Sequence, residues 1–456
     1  MEKNISRRDF LKVTGAGAVA AAAAVACSND KKKTVSPTIV GAKSGEGKME
    51  MRTNEANGDK VSLLGYGCMR WPMIKDENGK DIIDQAKVNE LIDYAMAHGV
   101  NYYDTSPAYL QGQSEKATGI ALSRYPRNSF YIATKLSNFG DTSEKATIKM
   151  YHDSFDEMQT DYFDYYLLHS IGSGGIPAFN KRYVDNGIMD FVTAEREKGK
   201  IRQLGFSFHG NQEEFDQLIA LHDKYHWDFV QIQMNYVDWR HASGSNTNAE
   251  YLYEKLDSLG LPITVMEPLQ GGRLSRVPDI VARQFKERNP DASVGSWAFR
   301  FVGSHPRILT ALSGMTYMEH LVDNVNTFTD FQYMNEEEYE FIEKMAVIIK
   351  EFPTVDCNDC KYCMPCPYGI NIPDIFRYYN TMVNEGAVPQ SQDQENYKKL
   401  RKAFLTQYNK AIPTLRQADH CIGCRQCESH CPQSIRIPNQ LQRIDAYIEK
   451  LKQGTL

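Results

Sequence analysis

The chain has 456 residues, enough for two or three domains with a sizeable core. With 42% hydrophobic and 24% charged residues, its composition is that of a globular protein, not of a disordered or fibrous one. A formal net charge of −6 leaves no basic footprint, so nucleic acid is excluded as an expected partner.

The N-terminus reads as a targeting segment. Ser6-Arg7-Arg8-Asp9-Phe10-Leu11-Lys12 precedes an uncharged run, Val13 to Ala26, that is mostly Ala and Gly. That run is too short and too weakly apolar to span a bilayer but suits a signal h-region. The pattern S-R-R-x-F-L-K resembles a bacterial twin-arginine signal. Ala24-Val25-Ala26-Cys27 can be read as a lipobox with Cys27 acylated, the only membrane attachment expected, or as an A-x-A cleavage site. Residues 1–26 are therefore expected to be the signal and 27–48 a polar, Lys-rich tether. The expected location is periplasmic, or membrane-anchored through Cys27.

Eight strand-like runs follow: Leu63–Tyr66, Val100–Tyr103, Phe130–Thr134, Tyr165–Leu168, Ile201–Phe206, Phe229–Met234, Ile263–Met266 and Ile308–Leu312. Most are short and continuously apolar, as strands buried on both faces should be. Helical periods lie between them at Val88–His98, Ala146–Met158, Ile188–Lys198, Glu213–Lys224, Glu250–Leu259 and Met318–Phe328. Several stop at glycine, as at Gly99, Gly199 and Gly260. Strand–helix alternation of this kind predicts a (β/α)8 TIM barrel over 49–347. Asn57-Gly58 marks a hairpin before the first strand. No internal repeat beyond the βα units is seen. Residues 348–456 are expected to form a second, small and mostly helical domain, with helices at Pro373–Asn384, Glu395–Asn409 and Ile437–Leu451.

A barrel enzyme carries its reactive groups just past its strands. Asp104, Lys135 and His169 stand in that position, and Tyr109 lies five residues beyond Asp104. Singly, each has an ordinary structural reading. Together they suit proton donation to a carbonyl: a phenol is a poor acid near neutrality, an adjacent ammonium should lower its pKa, and a carboxylate should hold that ammonium.

This set resembles the catalytic tetrad of the aldo-keto reductases. Asp104-Thr-Ser-Pro-Ala-Tyr109, Gly199-Lys-Ile-Arg-Gln-Leu-Gly-Phe-Ser207, Gln231-Ile-Gln-Met-Asn-Tyr236, Glu267-Pro-Leu-Gln-Gly-Gly272 and Ser313-Gly-Met extend the likeness. The resemblance implies a small carbonyl or alcohol substrate, with Tyr109 as general acid and His169 orienting the substrate. It also implies NAD(P), with Ser207 and Gln231 on the carboxamide, Met266 at the nicotinamide, and Gly314, Met315, His320 and Asn324 along the adenosine end. Three positions depart from the family: Met266 replaces a stacking aromatic, His320 an arginine for the 2′-phosphate, and Phe208 an asparagine.

Of ten cysteines, Cys27 and Cys68 stand alone and eight fall between Cys357 and Cys431. Cys68, at the end of the first strand, is expected in the core. The runs are Cys357-x2-Cys360-x2-Cys363-x2-Cys366-Pro and Cys421-x2-Cys424-x2-Cys427-x3-Cys431-Pro. The second is the bacterial ferredoxin run, in which three cysteines ligate one cubane and the fourth the other. The first is one residue short before Cys366. Structural zinc would use paired knuckles, and a disulfide framework does not use such dense spacing. Two 4Fe–4S clusters are expected, in a domain resembling the α-helical ferredoxins and serving a redox partner.

Twin-arginine export carries folded proteins, as cluster insertion in the cytoplasm requires, yet free NADPH is not expected outside it. The expectation is an exported oxidoreductase. An electron-transfer protein with the barrel as scaffold or ligand-binding module is the alternative.

Overall fold

The computed structural model describes residues 47–172 and 174–456; the signal, most of the tether and Cys27 lie outside them. Eight parallel strands close a barrel in sequence order: β1 Leu64–Gly67, β2 Tyr102–Asp104, β3 Tyr131–Leu136, β4 Phe163–Ile171, β5 Ile201–Phe208, β6 Phe229–Gln233, β7 Ile263–Met266 and β8 Ile308–Ser313. The fold class is the TIM barrel that the alternation predicts. Closure is made by β8 against β1, with Ala311 opposite Leu64 and Ser313 opposite Tyr66.

Burial on two faces explains the near-continuous apolar strands. Inward residues Tyr102, Ala133, Tyr165, Leu167, Phe229 and Leu309 fill the barrel, while outward ones such as Tyr103, Ile132, Tyr166 and Phe206 pack under the helices. The hairpin Met51–Thr53 with Lys60–Ser62 plugs the bottom, where Thr310 Oγ1 donates to the Ser62 carbonyl at 2.9 Å.

The helices around the barrel include α1 Gln85–Ala97, α2 Ser114–Leu122, α3 Glu144–Met158, α4 Ile188–Glu197, α5 Gln212–Ala220, α6 Ala249–Ser258, α7 Val294–Gly303, α8 Met318–Phe328 and α9 Glu336–Glu351. The helical period at Glu213–Lys224 is in fact two helices, broken at Leu221 before a short His222–Tyr225 turn. Helix α9 begins on a reciprocal Asn335–Glu338 cap and runs past Val347 to Glu351, stopping two residues before Pro353. None of the helices among the described residues is long and apolar enough to cross a membrane.

Helices α10 Ile372–Asn384, α11 Tyr397–Ala411 and α12 Ile437–Gln453 enclose a second core of Ile375, Phe376, Phe404, Tyr408, Leu441, Ile444 and Ile448. Here an internal repeat corrects the sequence reading. Cys366-Pro-Tyr-Gly-Ile-Asn-Ile-Pro373 and Cys431-Pro-Gln-Ser-Ile-Arg-Ile-Pro438 fold alike, each through a turn whose fourth residue, Gly369 or Ser434, has positive φ. In both, the amide of that residue donates to the cysteine carbonyl, at 2.9 and 3.1 Å. The preceding triples match as well: Asp359 and Lys361 take positive φ where Gly423 and Arg425 do. Both segments read C-P-x2-I-x-I-P, so the repeat is already present in the sequence, and the shared backbone geometry extends it.

Candidate active site and cluster sites

Strand ends bring the tetrad together. Asp104 closes β2, Lys135 is the penultimate residue of β3, and neighbouring register sets them side by side. Lys135 Nζ donates to Asp104 Oδ1 at 2.5 Å and to the Thr105 carbonyl at 2.8 Å, with both charged side chains almost wholly enclosed. Gln231 Nε2 donates to the other carboxylate oxygen at 3.1 Å. Burial pushes Asp104 up and Lys135 down, each toward its neutral form, and their mutual attraction opposes both shifts.

Tyr109 lies buried, its ring centroid 4.9 Å from Lys135 Nζ and 5.8 Å, edge-on, from the His169 ring. The expected lowering of its pKa is not what the site produces. Burial first, then the charge of Asp104, pushes the phenol well above its ordinary value, because the ammonium is already held by that carboxylate. Tyr109 is thus a fully protonated donor across the neutral range. His169 is kept neutral by burial and by the charges of Lys135 and Arg182. Its Nδ1 meets Ser137 Oγ at 2.6 Å and Ser106 Oγ at 3.3 Å, which leaves Nε2 toward the barrel mouth. Cys68 is buried at the same level, and burial raises its thiol far out of the reactive range.

The residues expected to hold a dinucleotide lie along β5 to β8, but several are already engaged. Ser207 Oγ accepts from the Ser170 amide at 2.7 Å, and Asn324 Nδ2 donates to Ser313 Oγ at 2.7 Å. Met315 is buried, Met266 half-buried, and Gly314 and His320 are exposed. The residues expected at the two ends of the run therefore stand at the strand ends of the barrel mouth and on α8, which follows β8.

The eight cysteines form two groups that cross between the runs. Cys357, Cys360, Cys363 and Cys431 line one cavity with Ile372, Phe376, Ile435 and Ile437. Cys366 joins Cys421 and Cys424 among the charges acting on Cys427. Burial pushes the Cys357 and Cys427 thiols up to about 11 and Cys363 to about 12. So many enclosed thiols can ionise together only around compensating cations, and the crossed three-plus-one grouping is that of ferredoxin cubanes. Among the described residues no three His, Cys, Asp or Glu side chains meet at a single-ion site. Thiols spread around a cavity suit a multi-iron cluster better than one zinc ion.

The cavity nearest the barrel is docked on its C-terminal mouth. Gln233 and Gln433 exchange two amide hydrogen bonds, 3.1 and 2.8 Å, in a buried pair. Asn246 Nδ2 donates to the Pro432 carbonyl at 2.8 Å, and Asp356 takes Arg273 at 3.0 Å and Ser243 at 2.8 Å. Tyr362, between Cys360 and Cys363, stands within electrostatic reach of Tyr109, Glu267 and Asp104. The second group faces outward: Cys424 is exposed, beside Ile422 at 63% exposure.

Sequence reasoning missed Arg70, Ser137, Glu267, Asn358 and Tyr362. Glu267 directly follows β7, the same signal that marked the tetrad, and Tyr362 sits inside a cysteine run. Glu267 Oε2 is enclosed with no hydrogen-bond partner, and burial raises its carboxyl.

With this geometry the chain belongs to the aldo/keto reductase family, whose pattern matches residues 63–346. A 4Fe-4S dicluster domain matches 356–436, and a twin-arginine translocation signal matches 4–25. It is an oxidoreductase carrying iron–sulfur clusters. L-Galactose dehydrogenase of Arabidopsis thaliana is 22% identical over 66% of this chain and 95% of that protein. D-Arabinose 1-dehydrogenase of Saccharomyces cerevisiae is 32% identical, over 29% of this chain and 40% of its own length. Among solved structures, the aldo-keto reductase AKR11C1 of Bacillus halodurans in its holo form has TM-score 0.52 at 22% identity, covering 65% of this chain and 96% of its own. An aldo-keto reductase of Klebsiella pneumoniae in complex with NADPH has TM-score 0.51 at 23% identity, covering 66% and 96%. At that identity the structures share the fold.

Proposed function

We propose that this protein is an exported iron–sulfur oxidoreductase that interconverts a carbonyl and an alcohol on a small molecule, with electrons relayed through two 4Fe–4S clusters. The observation that carries it is the docking of the first cysteine run on the barrel mouth, where Asn358 is hydrogen-bonded to Glu267 and Arg70 and Tyr362 lies within electrostatic reach of Tyr109. A scaffold barrel has no need of a buried proton-donor set beneath a cluster loop. Relatives that are by name sugar dehydrogenases favour a sugar or related polyol as substrate.

Tyr109 is the general acid, giving its proton to the carbonyl oxygen. His169 presents Nε2 to that oxygen because Ser137 and Ser106 occupy Nδ1. Lys135, fixed by Asp104, stabilises the phenolate left behind. Cys357, Cys360, Cys363 and Cys431 hold one cluster, and Cys366, Cys421, Cys424 and Cys427 the other. Bound clusters supply single electrons. Exposure at Cys424 and Ile422 makes the second group the side that meets an external redox partner. Export delivers the folded protein to the periplasm, with lipidation at Cys27 as the means of membrane retention.

The test is Tyr109→Phe in anaerobically purified protein, assayed with reduced methyl viologen against sugar aldehydes and ketones. Turnover should fall about 100- to 10,000-fold, with iron content unchanged. Equal turnover in both proteins would favour the scaffold reading.

A further inference from the structure

Between the nicotinamide end marked by Gln231 and Met266 and the adenosine end marked by Gly314 and Asn324, a dinucleotide would cross the turn Glu267–Gly272. That crossing is filled by the chain itself. A Cβ built on Gly271 would lie 2.0 Å from the Asn358 carbonyl oxygen, so the backbone after Cys357 rests directly on the turn. Asn358 Nδ2 donates to Glu267 Oε1 at 2.9 Å, and Arg70 Nη2 donates to the Asn358 carbonyl at 2.7 Å. Arg70 also lies across Gly314, whose Cβ would come within 3.0 Å of its Cδ.

Charge points the same way. A pyrophosphate needs cations, and the two arginines beside the turn, Arg70 and Arg273, are engaged with the cluster domain. Arg70 takes the Asn358 carbonyl and lies 3.9 Å from Asp359, while Arg273 takes Asp356, Thr354 and Gln270. What the turn presents instead is a carboxyl side chain, Glu267, whose enclosed Oε2 has no hydrogen-bond partner. The residues present do not fit a bound dinucleotide.

We propose that the segment Cys357–Cys363 is a permanent occupant of this trough. The holoprotein binds no nicotinamide dinucleotide, and its substrate pocket exchanges electrons with the iron–sulfur domain alone. This rests on the barrel being a carbonyl–alcohol catalyst. The balance then changes: reducing a carbonyl takes two electrons and two protons instead of one hydride and one proton. The electrons come from two equivalents of a reduced one-electron carrier of the ferredoxin class, each oxidised once. One proton passes from Tyr109 to oxygen and the other comes from solvent water to carbon, and Tyr109 regains its proton from solvent. An exported protein working where free nicotinamide is not expected agrees with this.

The experiment titrates anaerobic holoprotein with NADPH and with NADH by calorimetry to about 1 mM, the range of a weak dissociation constant, and follows cluster absorbance under the same additions. The expected result is no saturable heat and no bleaching by either nucleotide, with full bleaching by dithionite. Saturable binding at unchanged iron content, bleaching by NADPH, or stoichiometric nucleotide released on denaturation would each overturn the proposal. These outcomes are independent of Tyr109→Phe: loss of turnover there with nucleotide bound here would leave the carbonyl chemistry standing and remove only the occupied trough.

Discussion

The Lys135–Asp104 pair sets a large and measurable stake. At 2.5 Å, with side-chain exposures of 0% and 3%, it is an enclosed ion pair. At an effective dielectric of about 20, its gross attraction is about 7 kcal/mol, most of it offset by the cost of desolvating both charges. Removing one partner exposes that cost. Lys135→Met keeps the chain length but leaves Asp104 with one donor, Gln231, and the Thr105 carbonyl without one. The expected loss is about 3–5 kcal/mol, against about 5–15 kcal/mol for the stability of an ordinary domain. Asp104→Asn with Lys135→Met removes both charges and should recover about half of it. Urea unfolding by tryptophan fluorescence reads the barrel alone, because Trp71, Trp227, Trp239 and Trp297 all lie within it. Single variants each costing under about 1 kcal/mol would refute the reasoning, since that is the value of a solvated surface pair.

Glu115 is buried, and burial lifts it from 4.5 to about 7. A raised carboxyl binds its proton more tightly in the folded state, so its contribution is whole below about pH 4.5 and is lost as pH rises through 7. The loss is about 3 kcal/mol, and Glu115→Gln should flatten the stability curve across that window; parallel curves for the two proteins would contradict it. Gln433→Leu should leave the Gln233 amide without its partner across the interface, a cost of about 1–3 kcal/mol. Hydrogen exchange should then speed up at 357–363 and 431–434, and unchanged exchange would mean that the amide pair does not hold the docking. Cys366→Ser and Cys431→Ser should each lower iron from about eight to about four per chain. Electron paramagnetic resonance should show Cys366→Ser losing the same centre as Cys424→Ser, and Cys431→Ser losing the other; loss of one and the same centre in Cys431→Ser and Cys424→Ser would rule out the crossed grouping.

Much of this protein was legible in its residues. The alternation of apolar strands with helical periods defines the barrel because local burial demands it, and β1 to β8 fall within two or three residues of their predicted bounds. The rule that reactive groups follow strands found Asp104, Lys135 and His169, since register fixes which residues share a barrel's end. The same rule applied to β7 would have named Glu267. Cysteine spacing marked the clusters, although the short step before Cys366 obscured its equivalence to Cys431 until the shared turn at Gly369 and Ser434 appeared.

Other properties depend on distances that no sequence pattern encodes. The phenol of Tyr109 rises instead of falling because burial outweighs an ammonium already held by Asp104, a balance that only three-dimensional enclosure sets. Asn358 and Gly271 are 87 positions apart, yet their backbones touch, and that one contact decides whether a dinucleotide or the chain itself fills the barrel mouth. Sequence determines which groups exist and on which element ends they stand, because periodicity and turn chemistry act locally. Only the packing of one domain on the other decides which groups meet, because burial, charge compensation and steric exclusion act through space.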